Sequence, residues 1–172
     1  MKIFIDGSAG TTGLRIKDRL MKRSDVELIT LSEEQRKDTE SRKQALNSAQ
    51  VAFLCLPDAA AVEAVELVEN PDTVIIDTST AHRTSEGWAY GFPELSAEFE
   101  DKIKNSKRIA VPGCHAGGFI ALVYPLVEAG VLGNDALLSC YSLTGYSGGG
   151  KKMIAEYESE NKSPMLFAPR QY

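Results

Sequence analysis

Residues 2–13, KIFIDGSAGTTG, run a short strand pattern straight into a glycine-punctuated turn, and an amphipathic helical stretch from about Thr11 to Arg23 follows without a linker. Gly7, Gly10 and Gly13 are spaced GxxGxxG, one residue longer at the first interval than the usual dinucleotide fingerprint. The physical requirement is the same: glycine permits the tight turn, lets the backbone approach a pyrophosphate, and lets the helix pack close to the strand while its free N–H groups face the anion. The strand before and the helix after are the context that gives such a motif weight. Gly7, Ser8, Gly10, Thr11, Thr12 and Gly13 are therefore the first candidate cofactor contacts.

The segments that follow repeat the alternation. VELIT (26–30), VAFLC (51–55), TVIID (73–77) and RIAV (108–111) read as further strands, with helices near Glu40–Ala49 and over AAAVEAVELVEN (59–70), which stops at Asn70-Pro71. A long polar connection separates TVIID from RIAV. Strands alternating with helices imply an α/β fold with a Rossmann-like, doubly wound parallel sheet. Ligands of such sheets lie beyond the carboxyl ends of the strands. GSAGTTG, CLPD (55–58, with Pro57), DTSTAHR (77–83) and PGCH (112–115) all start at strand ends, so these loops should meet at one crevice.

Beyond Cys114 the pattern changes. Ala116–Ala129 reads as a helix that the internal Pro125 should kink or end early. LLSCYSLTGY (137–146) reads as a longer strand, and SGGG then leads into a polar helix, KKMIAEYESE (151–160). A boundary is expected near 113–118, with residues 1–115 as the nucleotide-binding domain and 116–172 as the beginning of an α+β domain.

Composition narrows the function classes. The chain has 172 residues, 43% of them hydrophobic, enough for a packed core, and its net charge of −5 argues against a nucleic-acid partner. Nothing resembles a signal peptide or a membrane-spanning run. The three cysteines are widely spaced without CxxC pairs, so neither a disulfide framework nor a metal site is signalled and a reducing, cytoplasmic location is expected.

The second strand ends Thr30-Leu31-Ser32, without the acid that binds the ribose hydroxyls of NAD. Glu33 and Glu34 follow, but Arg36 and Lys37 are near enough to meet a 2′-phosphate, so NADP is the expected cofactor, with Ser32 and Arg36 as contacts; a solvated charge cluster is the plainer reading. GYSGGGK (145–151) offers a rival, since it matches part of a phosphate-binding P-loop between a strand and a helix. Lys152 stands where such a loop needs a magnesium-binding Ser or Thr, so Ser147, Gly148 and Gly149 read better as a glycine-rich wall close to a cofactor ring.

Cys114, at a helix start, is either a small buried hydrophobe or a nucleophile activated by the helix dipole. Cys55 and Cys140 lie inside strand patterns and read as core. His115 adjoins Cys114 in sequence without having to face the same way, and His82 suits a structural hydrogen bond as well as catalysis. Ser79 and Thr80 either bind substrate or cap backbone groups.

Taken together, GSAGTTG, CLPD, DTSTAHR, YGFPEL (90–95), VPGCHAGGF (111–119) and TGYSGGGKKM (144–153) resemble, in order and over nearly the whole chain, the N-acetyl-gamma-glutamyl-phosphate reductases of arginine biosynthesis in their shorter-chain type. The broader relatives are the aspartate-semialdehyde dehydrogenases. The resemblance implies NADPH-dependent reduction of a small-molecule acyl phosphate to an aldehyde with release of phosphate. It makes Cys114 the nucleophile and Arg83 a contact of the substrate's phosphate; Ser79 is the further substrate-binding candidate, and a homo-oligomer is expected of the full-length form. It also implies that family members continue past this end point and carry their acid/base histidine there, so the chain is expected to stop inside its catalytic domain and to have little activity alone. A reductase of another acyl phosphate and a non-catalytic NADP-binding module are the alternatives.

Overall fold

Ile3, Phe4 and Ile5 are all buried, as expected of a strand covered on both faces, and the computed structural model places them in the middle of a parallel sheet. It describes residues 1–143 and 145–159, with the side chains of Tyr146, Ser147 and Lys152 excepted. In order the elements are β1 (Lys2–Asp6), α1 (Thr11–Leu20), β2 (Glu27–Ile29), α2 (Thr39–Ser48), β3 (Val51–Leu54), α3 (Asp58–Glu66), β4 (Val74–Asp77), β5 (Ala89–Tyr90), α4 (Ala97–Asn105), β6 (Arg108–Ala110), α5 (Cys114–Glu128) and α6 (Gly150–Glu158). The strands form one sheet in the order β2-β1-β3-β4-β6-β5, every pair parallel. This is the expected doubly wound α/β architecture. The connection 78–107 adds what was read only as polar chain: the short strand β5 and the helix α4.

Small side chains let two helices lie close to the sheet. Ala45, Leu46 and Ala49 from α2 and its end, with Ala61 and Ala64 from α3, pack on Phe4, Ala52, Leu54 and Ile75 of the central strands. Asp38 caps α2 by accepting from the Ser41 N–H at 2.8 Å, and Ser96 caps α4 in the same way from Phe99. Thr73, fully buried before β4, donates to the Ala49 carbonyl at 2.9 Å and so fixes the end of α2 against the sheet.

Around α5 the structure narrows one sequence expectation and overturns another. Pro125 does not end the helix, which reaches Glu128 with the Ala129 N–H donating to the Pro125 carbonyl at 3.1 Å. A proline forfeits its own N–H bond and crowds the turn before it, but the residues after it keep their N–H groups, so the last turn can still close on the Pro125 carbonyl. The long strand expected at 137–146 is absent among the described residues, and Leu137, Tyr141 and Leu143 are 101%, 87% and 80% exposed. β-formers become a strand only on an edge that accepts them, and no described strand pairs with this segment.

The chain forms two compact units, Met1–Cys140 and Tyr141–Tyr172. In the second, the described residues hold a 3-10 turn at Tyr146–Gly149 and then α6; Glu160, the end of the expected polar helix, lies outside the described residues, as does Thr144 of the expected strand. No helix among the described residues is long and apolar enough to cross a membrane.

Candidate active site

All strands being parallel, their carboxyl ends share one edge of the sheet. β1 lies between β2 and β3, so the chain reverses its winding direction there and opens a crevice at the end of β1. The glycine loop fills that position. Gly7 has φ +81°, and a Cβ on it would collide with the Cys55 carbonyl at the end of β3. A Cβ on Gly13 would strike the Gly7 carbonyl and come within 2.8 Å of Ser8 Cα. The loop closes on itself through the Gly10 N–H donating to the Gly7 carbonyl at 2.9 Å, and Thr11 begins α1. Its small residues thus leave a cradle at a helix N-terminus, a form suited to a pyrophosphate.

Beside it, Phe4, Ile5, Ser8, Lys17, Thr30 and Arg36 help line a hollow between the ends of β1 and β2. Arg36 lies there; Ser32 holds the turn before it, its hydroxyl accepting from the Gln35 N–H at 3.2 Å. Lys17 was not singled out in the sequence. Its signal was there: it stands one helical turn past Gly13, hence on the same face of α1.

The last residues of β1, β3 and β4 are in register, Asp6 beside Leu54 beside Asp77, so two buried carboxyls flank an apolar centre. Each is compensated. Arg42 of α2 donates from Nε and Nη2 to Asp6 Oδ2 at 3.1 and 3.0 Å, and from Nη1 to Glu63 Oε1 of α3 at 3.2 Å. Asp77 accepts from the Ser79 N–H at 2.9 Å and the Ser79 hydroxyl at 2.6 Å, with His82 Nδ1 at 2.7 Å. Ser79 is thereby committed to its own loop and 6% exposed. Cys55 behind the glycine loop is half-buried; burial pushes its thiol up to about 11, with the Asp6 and Asp77 charges adding and a Thr78 hydrogen bond opposing.

Pro57 caps α3, and Asp58 beside it accepts from the Thr80 N–H at 2.9 Å and from the Thr80 hydroxyl. These bonds, with smaller attractions from Arg83 and His82, hold the Asp58 carboxyl below its ordinary value. Arg83 reaches across to the next strand end: Nε donates to the Val111 carbonyl at 3.0 Å and Nη2 to the Thr78 carbonyl at 3.4 Å. A Cβ on Gly113 would lie 2.7 Å from Arg83 Nη1, so glycine at 113 is what admits the guanidinium. The next residue, Cys114, is the first of α5 and exposed. The start of α5 thus sets an exposed thiol one residue on from the glycine that the guanidinium approaches.

Cys140 is exposed rather than core, because the segment that holds it is not a strand. Gly148 and Gly149 lie in the second unit with Ser147, in the turn before α6. A strand is missing before that turn among the described residues, so the strand–loop–helix setting of a P-loop is not met. The described residues contain no cluster of His, Cys, Asp and Glu able to hold a metal ion.

A parallel, doubly wound sheet with a glycine loop at its switch point defines a dinucleotide-binding domain. Residues 2–105 match the family described as semialdehyde dehydrogenase, NAD binding domain, and the chain belongs to that family. It is 51% identical over 168 residues to an N-acetyl-gamma-glutamyl-phosphate reductase of Chelativorans sp., covering 98% of this chain and 54% of the relative. It is 49% identical over 166 residues to N-acetyl-gamma-glutamyl-phosphate reductase 2 of Pseudomonas putida, covering 95% and 53%. The chain thus spans about half the length of these curated relatives. The fold is shared with aspartate semialdehyde dehydrogenase of Francisella tularensis (TM-score 0.65, 17% identity, 91% of this chain and 48% of that one). It is also shared with aspartate semialdehyde dehydrogenase II of Vibrio cholerae complexed with ASA (TM-score 0.63, 19% identity, 90% and 49%).

Proposed function

We propose that this chain is the cofactor-binding and nucleophile-bearing part of an NADPH-dependent reductase that converts N-acetyl-gamma-glutamyl phosphate to N-acetyl-glutamate semialdehyde and phosphate. The observation that carries the reading is an exposed Cys114 at the start of α5, directly after the Gly113 that the Arg83 guanidinium approaches, at the same sheet edge as the glycine loop. The names of the 51% and 49% identical relatives supply the substrate.

Arg83 draws the phosphate to the start of α5, a charge-assisted contact. The Cys114 thiolate adds to the acyl carbon, with the oxyanion facing the N–H groups of the first helical turn; collapse breaks the carbon–oxygen bond to phosphate and leaves a thioester. Phosphate leaves as an anion, so acylation needs no proton donor. NADPH, when bound, supplies the hydride that reduces the thioester to the aldehyde. Gly7, Gly10 and Gly13 would admit its pyrophosphate, with Ser8, Thr11, Thr12 and Pro57 lining the approach. Ser32, Arg36 and Lys17 would frame the 2′-phosphate in the hollow beside β2. Ser147, Gly148 and Gly149 are cofactor candidates on their glycine-rich sequence alone. Residues 1–115 then form the NADP-binding domain and 116–172 the start of a catalytic domain, whose full-length form is a homo-oligomer. Unpaired thiols suit the reducing cytoplasm.

The test is a steady-state assay on a polypeptide of the relatives' length. NADPH oxidation should depend on the acyl phosphate, vanish in Cys114→Ser, and show a raised KM for acyl phosphate in Arg83→Ala. Oxidation that persists in Cys114→Ser rejects the reading.

A further inference from the structure

We propose that His82 is a positioning residue: its ring, clamped between the Asp77 carboxyl and the Trp88 indole, sets where Arg83 places its guanidinium at the start of α5. The proposal rests on the reading of Arg83 as the phosphate contact.

The turn 78–83 has to present Arg83 on one side while following the end of β4 on the other. Asp77 is fully buried there, and three groups of the same turn converge on it: the Ser79 N–H and hydroxyl, and His82 Nδ1 at 2.7 Å. A carboxylate only accepts, so it holds the imidazole with its proton on Nδ1 and fixes the orientation of the ring. The opposite constraint is the indole of Trp88, stacked on the imidazole at 4.1 Å with 12° between the planes. The residue is 8% exposed and its Nδ1 edge is occupied, an arrangement that holds the ring still.

Arg83 is the next residue. Its guanidinium has two hydrogen bonds, both to carbonyls of strand-end backbone, and the Nη2 bond is long at 3.4 Å. Those two leave most of its five N–H donors available. Both bonds leave the end of the side chain for backbone carbonyls, so the place of the guanidinium beside Gly113 depends also on the peptide that carries it. Removing the imidazole would free one end of that peptide from Asp77 and Trp88 together. The Asp58–Thr80 tie and the Ser85 N–H donating to the His82 carbonyl at 3.2 Å would remain, so the turn would loosen rather than unravel.

Inorganic phosphate is the probe, and protection of Cys114 the readout. A dianion held beside a thiol disfavours the thiolate that iodoacetamide attacks. Alkylation of Cys114, followed by peptide mass mapping, is measured against phosphate concentration in the 172-residue chain and in Arg83→Ala, His82→Ala, His82→Asn and His82→Gln. NADPH affinity is measured alongside as a control on the remote glycine loop. Phosphate should protect the wild type and not Arg83→Ala. His82→Ala should need about tenfold more phosphate, the effect of misplacing one charged hydrogen bond, with NADPH affinity unchanged. His82→Asn, whose amide nitrogen can take the place of Nδ1, should recover most of the protection, and His82→Gln, which places it further out, should not. Protection in His82→Ala equal to the wild type overturns the proposal while leaving Arg83 in its role. Equal protection in Arg83→Ala, or none in the wild type, overturns the reading of Arg83 and the role of His82 with it. If His82→Ala does not fold, the Asn and Gln variants decide, and equal protection in those two overturns the assignment.

Discussion

Gly13 stands where the helix must pass close to the loop, and a methyl group there meets the Gly7 carbonyl and the Ser8 backbone rather than a movable side chain. Gly13→Ala is therefore expected to lower stability by about 1–3 kcal/mol, as overpacking does, and to abolish NADPH binding; a cofactor titration beside a denaturant curve measures both. The cysteines differ for a similarly local reason. Cys114 and Cys140 are exposed, whereas burial pushes Cys55 up to about 11. Iodoacetamide at about pH 8 should label Cys114 long before Cys55, because only the thiolate reacts. Equal labelling rates on peptide mapping would contradict the buried environment of Cys55. The glycines and Cys114 were legible in the sequence because a turn and a helix start announce themselves locally. The commitment of Ser79 to Asp77 was not, since a hydroxyl that binds a ligand and one that binds its own loop have the same sequence.

Among the elements, α2 and α3 are tied to the end of β1 by one side chain. Arg42 is 11% exposed and Asp6 6%, so Arg42→Ala leaves a carboxyl buried without its partner directly before the glycine loop. The expected loss is about 3 kcal/mol, measured by urea unfolding, and an effect near zero would show that the pair is solvated. α3 is tied to the loop after β4 by Asp58 and Thr80. The Asp58 value is depressed below 3.8 in the folded state, so protons bind the unfolded chain first. Its contribution to stability is complete above the ordinary carboxyl value and is lost as pH falls through the folded one. The stability gap between the wild type and Asp58→Ala should hold constant from about pH 7 to about pH 5 and close below that, whereas a gap that widens in acid would reverse the sign of the linkage. β1, β3, β4 and the helices between them were legible from periodicity and from stops such as Asn70-Pro71. β5 was missed because two residues carry no period, and α4 because in its charged sequence Phe99 and Ile103 alone mark the apolar face, Phe99 lying edge-on to Tyr124.

At the scale of the whole molecule, strand alternation was enough to infer the parallel sheet and the convergence of its loops, because handed βαβ connections leave few alternatives. The segment 137–146 was misread for the complementary reason: strand propensity is realised only on a partner edge, and sequence cannot say whether one is present. The hollow between β1 and β2 brings Lys17 and Arg36 to one place, so the chain should bind NADPH more tightly than NADH. Arg36→Ala should reduce that preference by about tenfold, the scale of a charged hydrogen bond, without weakening NADH; fluorescence titration with both nucleotides decides it. The central claim is that Cys114 accepts an acyl group from an acyl phosphate guided by Arg83. Its most direct test is the intact mass of the 172-residue chain after incubation with N-acetyl-gamma-glutamyl phosphate and no nucleotide. Acylation requires neither hydride nor a proton donor, so the account predicts one N-acetylglutamyl group on Cys114, one phosphate released per chain, and neither in Cys114→Ser. An unmodified wild-type chain, or the same adduct on Cys114→Ser, would contradict it.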